Sequence, residues 1–360
     1  MKYVKVLVVA TSRETRGGIT SVIKAHETGE QWKKYHCVWI QTHRDGSNFR
    51  KILYLFTAYI LFLLFVPFCD IVHIHGTSGS SGKRKLPFIW LANKMGKKCI
   101  FHFHPSSEGA LKSVENRKIL KSIFDRSDMI LALSPFWVNL IKETFPNENY
   151  NIQVQWNPCP KVCRNRSKKK KYILYAGTLI KRKGYEVLLR AFSEIAYRNP
   201  DWSLFFAGNP YLRDGINELE NGKRLAADLR IADKVKWLGW VSGKEKDKIF
   251  NEASIYCLAS EGEGFPMGVL DAWAYGLPCV MTPVGGIQDI VKDGINGILF
   301  PIGDYDTLAK KLEMLMTKED LQASIVSKTD QLVYGEFCVD RVNEHLEHIY
   351  SSLLPKQDII

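Results

Sequence analysis

A chain of 360 residues is too long for one ordinary core and suits two domains of roughly 150 residues each. With 46% hydrophobic, 12% aromatic and 24% charged residues, and 26 Gly and 14 Pro dispersed along it, the composition excludes a disordered tail, a collagen-like repeat and a coiled coil. The net charge of +12 is uneven: residues 1–160 carry 22 basic and 11 acidic side chains, residues 161–171 seven basic and no acidic, and residues 172–360 carry 21 basic against 27 acidic. That division predicts two domains with different partners.

In chain order, Lys5–Ala10, His36–Gln41, Ile71–His75, Lys98–His102, Met129–Leu133 and Ile152–Gln155 read as strands. Helical stretches such as Gly18–His26 and Asn116–Arg126 separate them, which predicts a parallel sheet covered on both faces. Ile52 to Cys69 is 18 residues without a charge, flanked by Arg50-Lys51 and by Asp70. Its length stands at the threshold for a membrane span. A buried helix, a helix lying in the bilayer interface and a spanning helix compete. Topology opposes the last, because Val4–Ala10 and Asp70–His75 on either side look like neighbouring strands of one sheet, and Pro67 interrupts the last turn.

The basic run Arg164–Lys171 reads as a linker, although a solvated charge run would look the same. Strands resume at Tyr172–Ala176, Ser203–Ala207, Val235–Leu238, Ile255–Leu258, Pro278–Thr282 and Gly297–Phe300, with helices between most of them. Asp340–Leu353 closes the chain as a helix with Val342, Leu346, Ile349, Tyr350 and Leu353 at helical spacing. The expected fold class is α/β, with two doubly wound Rossmann-like domains facing a central cleft at the carboxyl ends of their strands. The expected divisions are 1–160, a linker 161–171, and 172–336, with residues 337–360 packing back on the first domain.

Eight cysteines do not make a disulfide scaffold here: Cys37, Cys69, Cys99, Cys257 and Cys279 lie in apolar runs, and Cys159 and Cys163 lack a second pair at zinc spacing. With no secretory leader pattern in the first residues, a reducing cytoplasm is expected.

Two loops carry chemistry. Gly177-Thr178-Leu179-Ile180-Lys181-Arg182-Lys183-Gly184 follows a strand and opens a helix, gathering backbone N–H donors and three cations as a diphosphate would require. A solvated basic turn is the plainer alternative. Ser260 to Pro278 is a Gly-rich turn entering a helix, with Glu263 before it and Asp271 two turns in. Such acids often only cap a helix or pair with a cation. Beside a diphosphate cradle, however, two carboxylates suit the hydroxyl pairs of a nucleotide sugar.

Here the chain resembles the retaining nucleotide-sugar glycosyltransferases of glycosyltransferase family 4, with the GT-B fold. Glu263 to Asp271 is similar to the family's E-x7-E element, with Asp in place of the second Glu. The resemblance extends through Gly17-Gly18-Ile19, Asp70–Gly76, Phe101–His104, Asp128–Ser134, Trp156-Asn157-Pro158, Lys183-Gly184, Trp237–Val241 and Pro283–Gly286, in order along nearly the whole chain. It implies that Arg182 and Lys183 bind the donor diphosphate, Asp271 the ribose and Glu263 the transferred sugar. Backbone N–H groups around the turn Gly264-Phe265-Pro266-Met267, those of Gly264, Phe265 and Met267, would help orient sugar and phosphate, Gly17 and Gly18 would approach the diphosphate on closure, and His104 would face donor sugar and acceptor. Thr178 stands where the family often has Arg, and Asp271 is one methylene short; both departures keep a non-catalytic glycosyltransferase-like subunit in view, beside a GT-B nucleotide-sugar epimerase.

Of the paired histidines, His73 and His75 are expected to divide between core and cleft, and His102 and His104 likewise. No general base stands out in the first half, which suits a transfer in which the leaving diphosphate helps deprotonate the acceptor. No cofactor and no metal are expected beyond the nucleotide sugar. The basic first half, with Arg50, Lys51 and Lys83-Arg84-Lys85, and the apolar segment together point to an anionic membrane surface. A polyprenyl-diphosphate-linked or other glycan acceptor at the inner face of a bacterial cell membrane, in polysaccharide biosynthesis, is the expected partner. Nucleic acid is not, because the basic residues form no recognised nucleic-acid module.

Overall fold

The computed structural model describes residues 5–165, 169–210, 212–213 and 216–354; Val4, Arg166–Lys168 and residues 355–360, which figure in the expectations above, lie outside them. The chain divides into two compact units, Met1–Pro158 with Phe337–Ile360, and Cys159–Glu336.

The first unit holds strands β1 (Val6–Ala10), β2 (Val38–Gln41), β3 (Ile71–Gly76), β4 (Lys98–Phe103), β5 (Met129–Ala132) and β6 (Ile152–Val154) in one parallel sheet, ordered β2-β1-β3-β4-β5-β6. Helices α1 (Gly18–His26), α2 (Glu30–Lys34), α3 (Asn48–Phe65), α4 (Gly79–Lys94), α5 (Gly109–Lys112), α6 (Val114–Phe124) and α7 (Pro135–Thr144) connect them. β1 and β3 are buried along their whole length, β1 as an apolar run and β3 with His73 and His75 among its Ile and Val residues, as a sheet covered on both faces requires. The chain leaves β1 to one side for β2 and returns on the other for β3, so the strand order reverses between β1 and β3. α6 begins two residues before the expected Asn116 because the Ser113 side chain caps it, accepting from the Asn116 N–H. The C-terminal helix, Val339–Leu353, packs here: Gln155 Nε2 donates to Val342 O at 2.9 Å, and Leu346, Ile349 and Tyr350 join the core under β1 and β3.

The apolar segment corrects one of its readings. α3 starts at a Ser47 cap and gives way to a single 3-10 turn containing Pro67, yet of its 18 residues only Ala58 and Phe62 are buried. Phe62 and Tyr59 hold it to Phe88 of α4, with ring centroids 5.0 and 4.5 Å away. Phe49, Ile52, Phe56 and Leu63 stay 77, 68, 62 and 56% exposed. A helix apolar on every side that lies at a domain's surface can bury only the side that meets the domain. The buried-helix reading therefore fails. The helix is long and apolar enough to cross a membrane, but β1, before it in the chain, and β3, after it, pair directly in one sheet.

The second unit holds β7 (Tyr172–Ala176), β8 (Ser203–Ala207), a small hairpin of β9 (Leu212–Arg213) and β10 (Ile216–Asn217), then β11 (Val235–Gly239), β12 (Ile255–Leu258), β13 (Cys279–Met281) and β14 (Ile298–Leu299). Its parallel sheet runs β11-β8-β7-β12-β13-β14. Around it lie α8 (Tyr185–Ala196), α9 (Glu218–Asp228), α10 (Gly243–Glu252), α11 (Met267–Ala274), α12 (Ile287–Ile290), α13 (Tyr305–Thr317) and α14 (Glu319–Val333), which makes the C-terminal helix α15. Here the order reverses between β7 and β12, at the centre of the sheet. The described cations of the basic joint are not free in solvent. Arg164 donates to the carbonyls of Ala274 and Trp273 at 2.6 and 2.7 Å and pairs with Asp330, while Lys170 and Lys171 pair with Glu252 and Asp201.

Candidate active site

Ligands of doubly wound sheets bind outside the carboxyl ends of the strands where the order reverses. In the second unit that place is shared by the loop after β7 and the loop after β12, the two that carry the predicted residues. They are fastened together. Arg182 donates from Nη1 to Gly262 O, and Glu261 N donates to Arg182 O at 2.8 Å. Gly184, at φ 70°, allows the approach: a Cβ there would stand 1.8 Å from Ala259 O.

Glu263 is 7% exposed, and its Oε1 meets Lys183 Nζ at 3.0 Å and accepts from Ser260 Oγ at 2.7 Å. A carboxylate so buried needs both partners. Gly264, Phe265 and Pro266 are buried behind it, Met267 opens α11, and Gly286 N donates to Gly264 O at 3.0 Å. Thr178 is exposed at the other rim, and Lys181 leans 3.7 Å from Glu186. Arg182, Lys183, Glu263 and the turn Gly264–Met267 are thus brought together. Asp271 is turned to another use: its Oδ1 lies 2.8 Å from Lys246 Nζ of α10. Burial raises its pKa, and Lys246 holds it back. The sequence offered no cue to Ser260 or Lys246 as partners, since neither spacing nor residue type sets them apart.

Gly17, Gly18 and His104 belong to the first unit. Gly17 caps α1 just beyond β1 with open space where a Cβ would stand, and Gly18 begins the helix. His104 follows β4, 8% exposed, with Nε2 3.0 Å from His75 Nδ1. Burial, then the charge His26 would carry, pushes its pKa down to about 3, so its ring is neutral at physiological pH.

The expected division of the histidines between core and cleft is overturned. Residues two apart on a strand share a face, so His73 and His75 of β3 point the same way, as do His102 and His104 on and after β4, and all four are buried. His26 of α1 lies over them with its Nδ1 2.8 Å from Asn343 Oδ1. Ring nitrogens of His73, His75 and His102 lie within 4.8 Å of one another. The rings of His73 and His102 lie 8° from parallel with centroids 5.5 Å apart.

Residues 163–331 match the family model for glycosyl transferases group 1. An uncharacterised glycosyltransferase of Haemophilus influenzae is 29% identical over 225 residues, covering 62% of this chain and 61% of that protein. The lipopolysaccharide 1,6-galactosyltransferase of Salmonella typhimurium is 31% identical over 166 residues, 45% of this chain and 44% of its own length. The matched stretch thus spans about half to three-fifths of these curated relatives. In structure, Anabaena Alr3699/HepE, solved with UDP and glucose, superposes over 97% of this chain and 100% of its own with a TM-score of 0.77 at 16% identity. The group 1 match lies in the second unit, residues 163–331, and the shared architecture runs through both units, which gives the chain the GT-B fold.

Proposed function

We propose that the protein is a retaining, metal-independent hexosyltransferase. It moves a sugar from a nucleoside diphosphate sugar to a glycan or lipid-linked acceptor at the cytoplasmic membrane face, in bacterial polysaccharide biosynthesis. One observation carries the reading: a lysine and a buried carboxylate 3.0 Å apart at the strand-order reversal, beside the N-terminus of α11. UDP bound to the Anabaena neighbour supports a nucleotide sugar as donor.

In this reading Arg182 and Lys183 hold the diphosphate and neutralise the charge that develops on it. Glu263, steadied by Ser260, accepts hydrogen bonds from the sugar hydroxyls, and the N–H groups of Gly264, Phe265 and Met267 orient the sugar. Asp271 takes the ribose hydroxyls in exchange for the Lys246 ammonium. The bond from the anomeric carbon to the diphosphate oxygen breaks, with its electron pair leaving on the diphosphate. The acceptor oxygen bonds to that carbon from the same face, and its proton passes to the departing diphosphate. The site's contribution is orientation and charge stabilisation. Peripheral attachment through α3 brings the acceptor's membrane to the enzyme.

Nucleotide sugars screened by thermal shift and by slow hydrolysis identify the donor. With that donor, Glu263→Gln and Lys183→Ala are each expected to lower transfer about 100-fold or more while the folded protein persists; wild-type rates in both overturn the site. The Lys246–Asp271 pair favours one alternative, a subunit that binds nucleotide sugar without turnover, and binding with no transfer in the presence of membrane extract would establish it.

A further inference from the structure

The run from Gly76 through Thr77-Ser78-Gly79-Ser80-Ser81-Gly82 to Lys83-Arg84-Lys85 leaves β3 and opens α4, and its cations do not all face solvent as a membrane-binding cluster would. Lys85 is 2% exposed. Long side chains on a helix lean toward its N-terminus, and the Lys85 stem runs beside Gly76, where a Cβ would stand 3.5 Å from Lys85 Cγ. The ammonium donates to Thr42 Oγ1, and that hydroxyl donates on to Ala10 O at 2.8 Å. Ala10 ends β1, Thr42 follows β2 and Gly76 ends β3. The buried ammonium therefore sits at the carboxyl ends of three adjacent strands, where the order of the first sheet reverses.

More positive charge surrounds it. Arg84 is half-buried, and its Nε is enclosed without a hydrogen-bond partner. His43, next to Thr42, has its pKa lowered by burial and then by Arg84, with Lys51 and Lys85 adding to the effect against Asp45. The available acids are few: Asp45 lies 3.6 Å from His43 on an exposed side chain, and Glu14 is taken by Arg44. Among the described residues neither Arg84 nor Lys85 has a carboxylate within ion-pair distance. Burial, and then Arg84, pushes the Lys85 pKa well down, because an unpaired buried cation is costly; an anion arriving from outside would restore the charge and pair with it. The apolar stripe of α3 starts at the same end: Lys51 in its first turn acts on His43, and Arg44 Nη1 donates to Tyr54 Oη at 3.0 Å. An anionic head beside a hydrocarbon tail is the chemistry this pairing fits.

We propose that Lys85 and Arg84, with His43 at the rim, bind the diphosphate of a lipid-linked acceptor whose hydrocarbon chain follows the exposed stripe of α3. This rests on the glycosyltransferase reading above and names its acceptor class. The test uses the full chain and phosphatidylcholine vesicles carrying either a polyisoprenyl diphosphate or the uncharged polyisoprenol. Wild-type protein is expected to float with the diphosphate vesicles at least tenfold more strongly. Lys85→Met and Arg84→Gln remove most of that preference while binding to polyisoprenol vesicles and the affinity for UDP are kept. Lys85→Met also keeps or raises the Tm, because an apolar stem replaces a buried amine that has no acidic partner.

An unchanged preference in both variants overturns the site, as does a lower Tm in Lys85→Met with normal flotation. Loss of UDP affinity in the same variants would assign the cluster to the donor instead and overturn the acceptor assignment. Inorganic diphosphate that displaces the vesicles at the concentration of the lipid itself would overturn the part played by the hydrocarbon chain. Diphosphate-dependent flotation in a chain that transfers no sugar from any nucleotide sugar would overturn the proposed function and leave this site standing.

Discussion

At Gly285 a single methyl group has nowhere to go. A Cβ there would lie 1.9 Å from Glu263 O, and φ is 53°. Gly294 has a similar φ of 75° with open space around it. Left-handed backbone costs a side chain about 1–2 kcal/mol, so Gly285→Ala and Gly294→Ala share that strain and differ only in the collision. Both are expected to lower the Tm, and only Gly285→Ala to reduce transfer, tenfold or more, since it displaces the residue that holds Lys183. Equal activities would mean the loop yields without moving Glu263. The buried histidines give a second prediction at this scale. Burial holds His26 at about 4 and His104 at about 3, against 6.5 when unfolded. As pH falls below 6.5 the unfolded chain takes up protons that the folded chain refuses. Stability therefore falls by up to about 1.4 kcal/mol per pH unit for each histidine, levelling only below the folded values. Asp271, raised by burial, acts in the opposite sense as one group against several. Thermal melts should show a Tm that is flat above pH 7 and declines below pH 6; a flat profile to pH 5 would contradict the buried neutral stack.

Among the elements, α3 departs furthest from what a folded domain needs. Its inner side is fixed by Phe62, which is 0% exposed and packed on Phe88, and its outer side is a stripe of exposed Phe, Ile and Leu. The two sides predict opposite phenotypes. Phe62→Ala is expected to cost about 3–5 kcal/mol of stability. Phe56→Ser and Ile52→Ser together leave the Tm within about 2 °C and abolish most flotation with phosphatidylcholine vesicles, because surface changes away from the core cost little. A large Tm loss from the double change would place that stripe against the protein instead. The sequence made the helix legible through an uncharged run of the right length. Its exposure was not legible, because a run apolar on every side carries no periodicity to tell an inner face from an outer one.

Over the whole molecule, the +12 resolves differently from its distribution along the chain. The joint's Arg164, Lys170 and Lys171 are paired with acids of the second unit, and Lys85 is buried. The cations left to attract an anionic surface are those around α3 and α4, Arg50, Lys51 and Lys94 among them, whereas Lys83 is paired with Glu115. Binding to vesicles containing phosphatidylserine should therefore weaken between about 50 and 500 mM salt, as the screening length shortens, while an apolar remainder persists through α3. Binding insensitive to salt would remove the electrostatic part of the account.

What the sequence determined by itself was the alternation of strands and helices, hence two parallel sheets, and the two loops after Ala176 and Leu258. Those features are written locally, in runs of β-branched residues and in Gly beside charge, and local signals survive translation into a string. The tertiary structure alone decided which groups meet. Strand order puts β7 beside β12, although more than 75 residues separate them in the chain, and so joins Lys183 to Glu263. It also gathers four histidines from two strands into one stack, couples Asp271 to Lys246 and carries Lys85 beneath Thr42. Partners so far apart in sequence leave no spacing to read, because their proximity is set by the order of strands in the sheet.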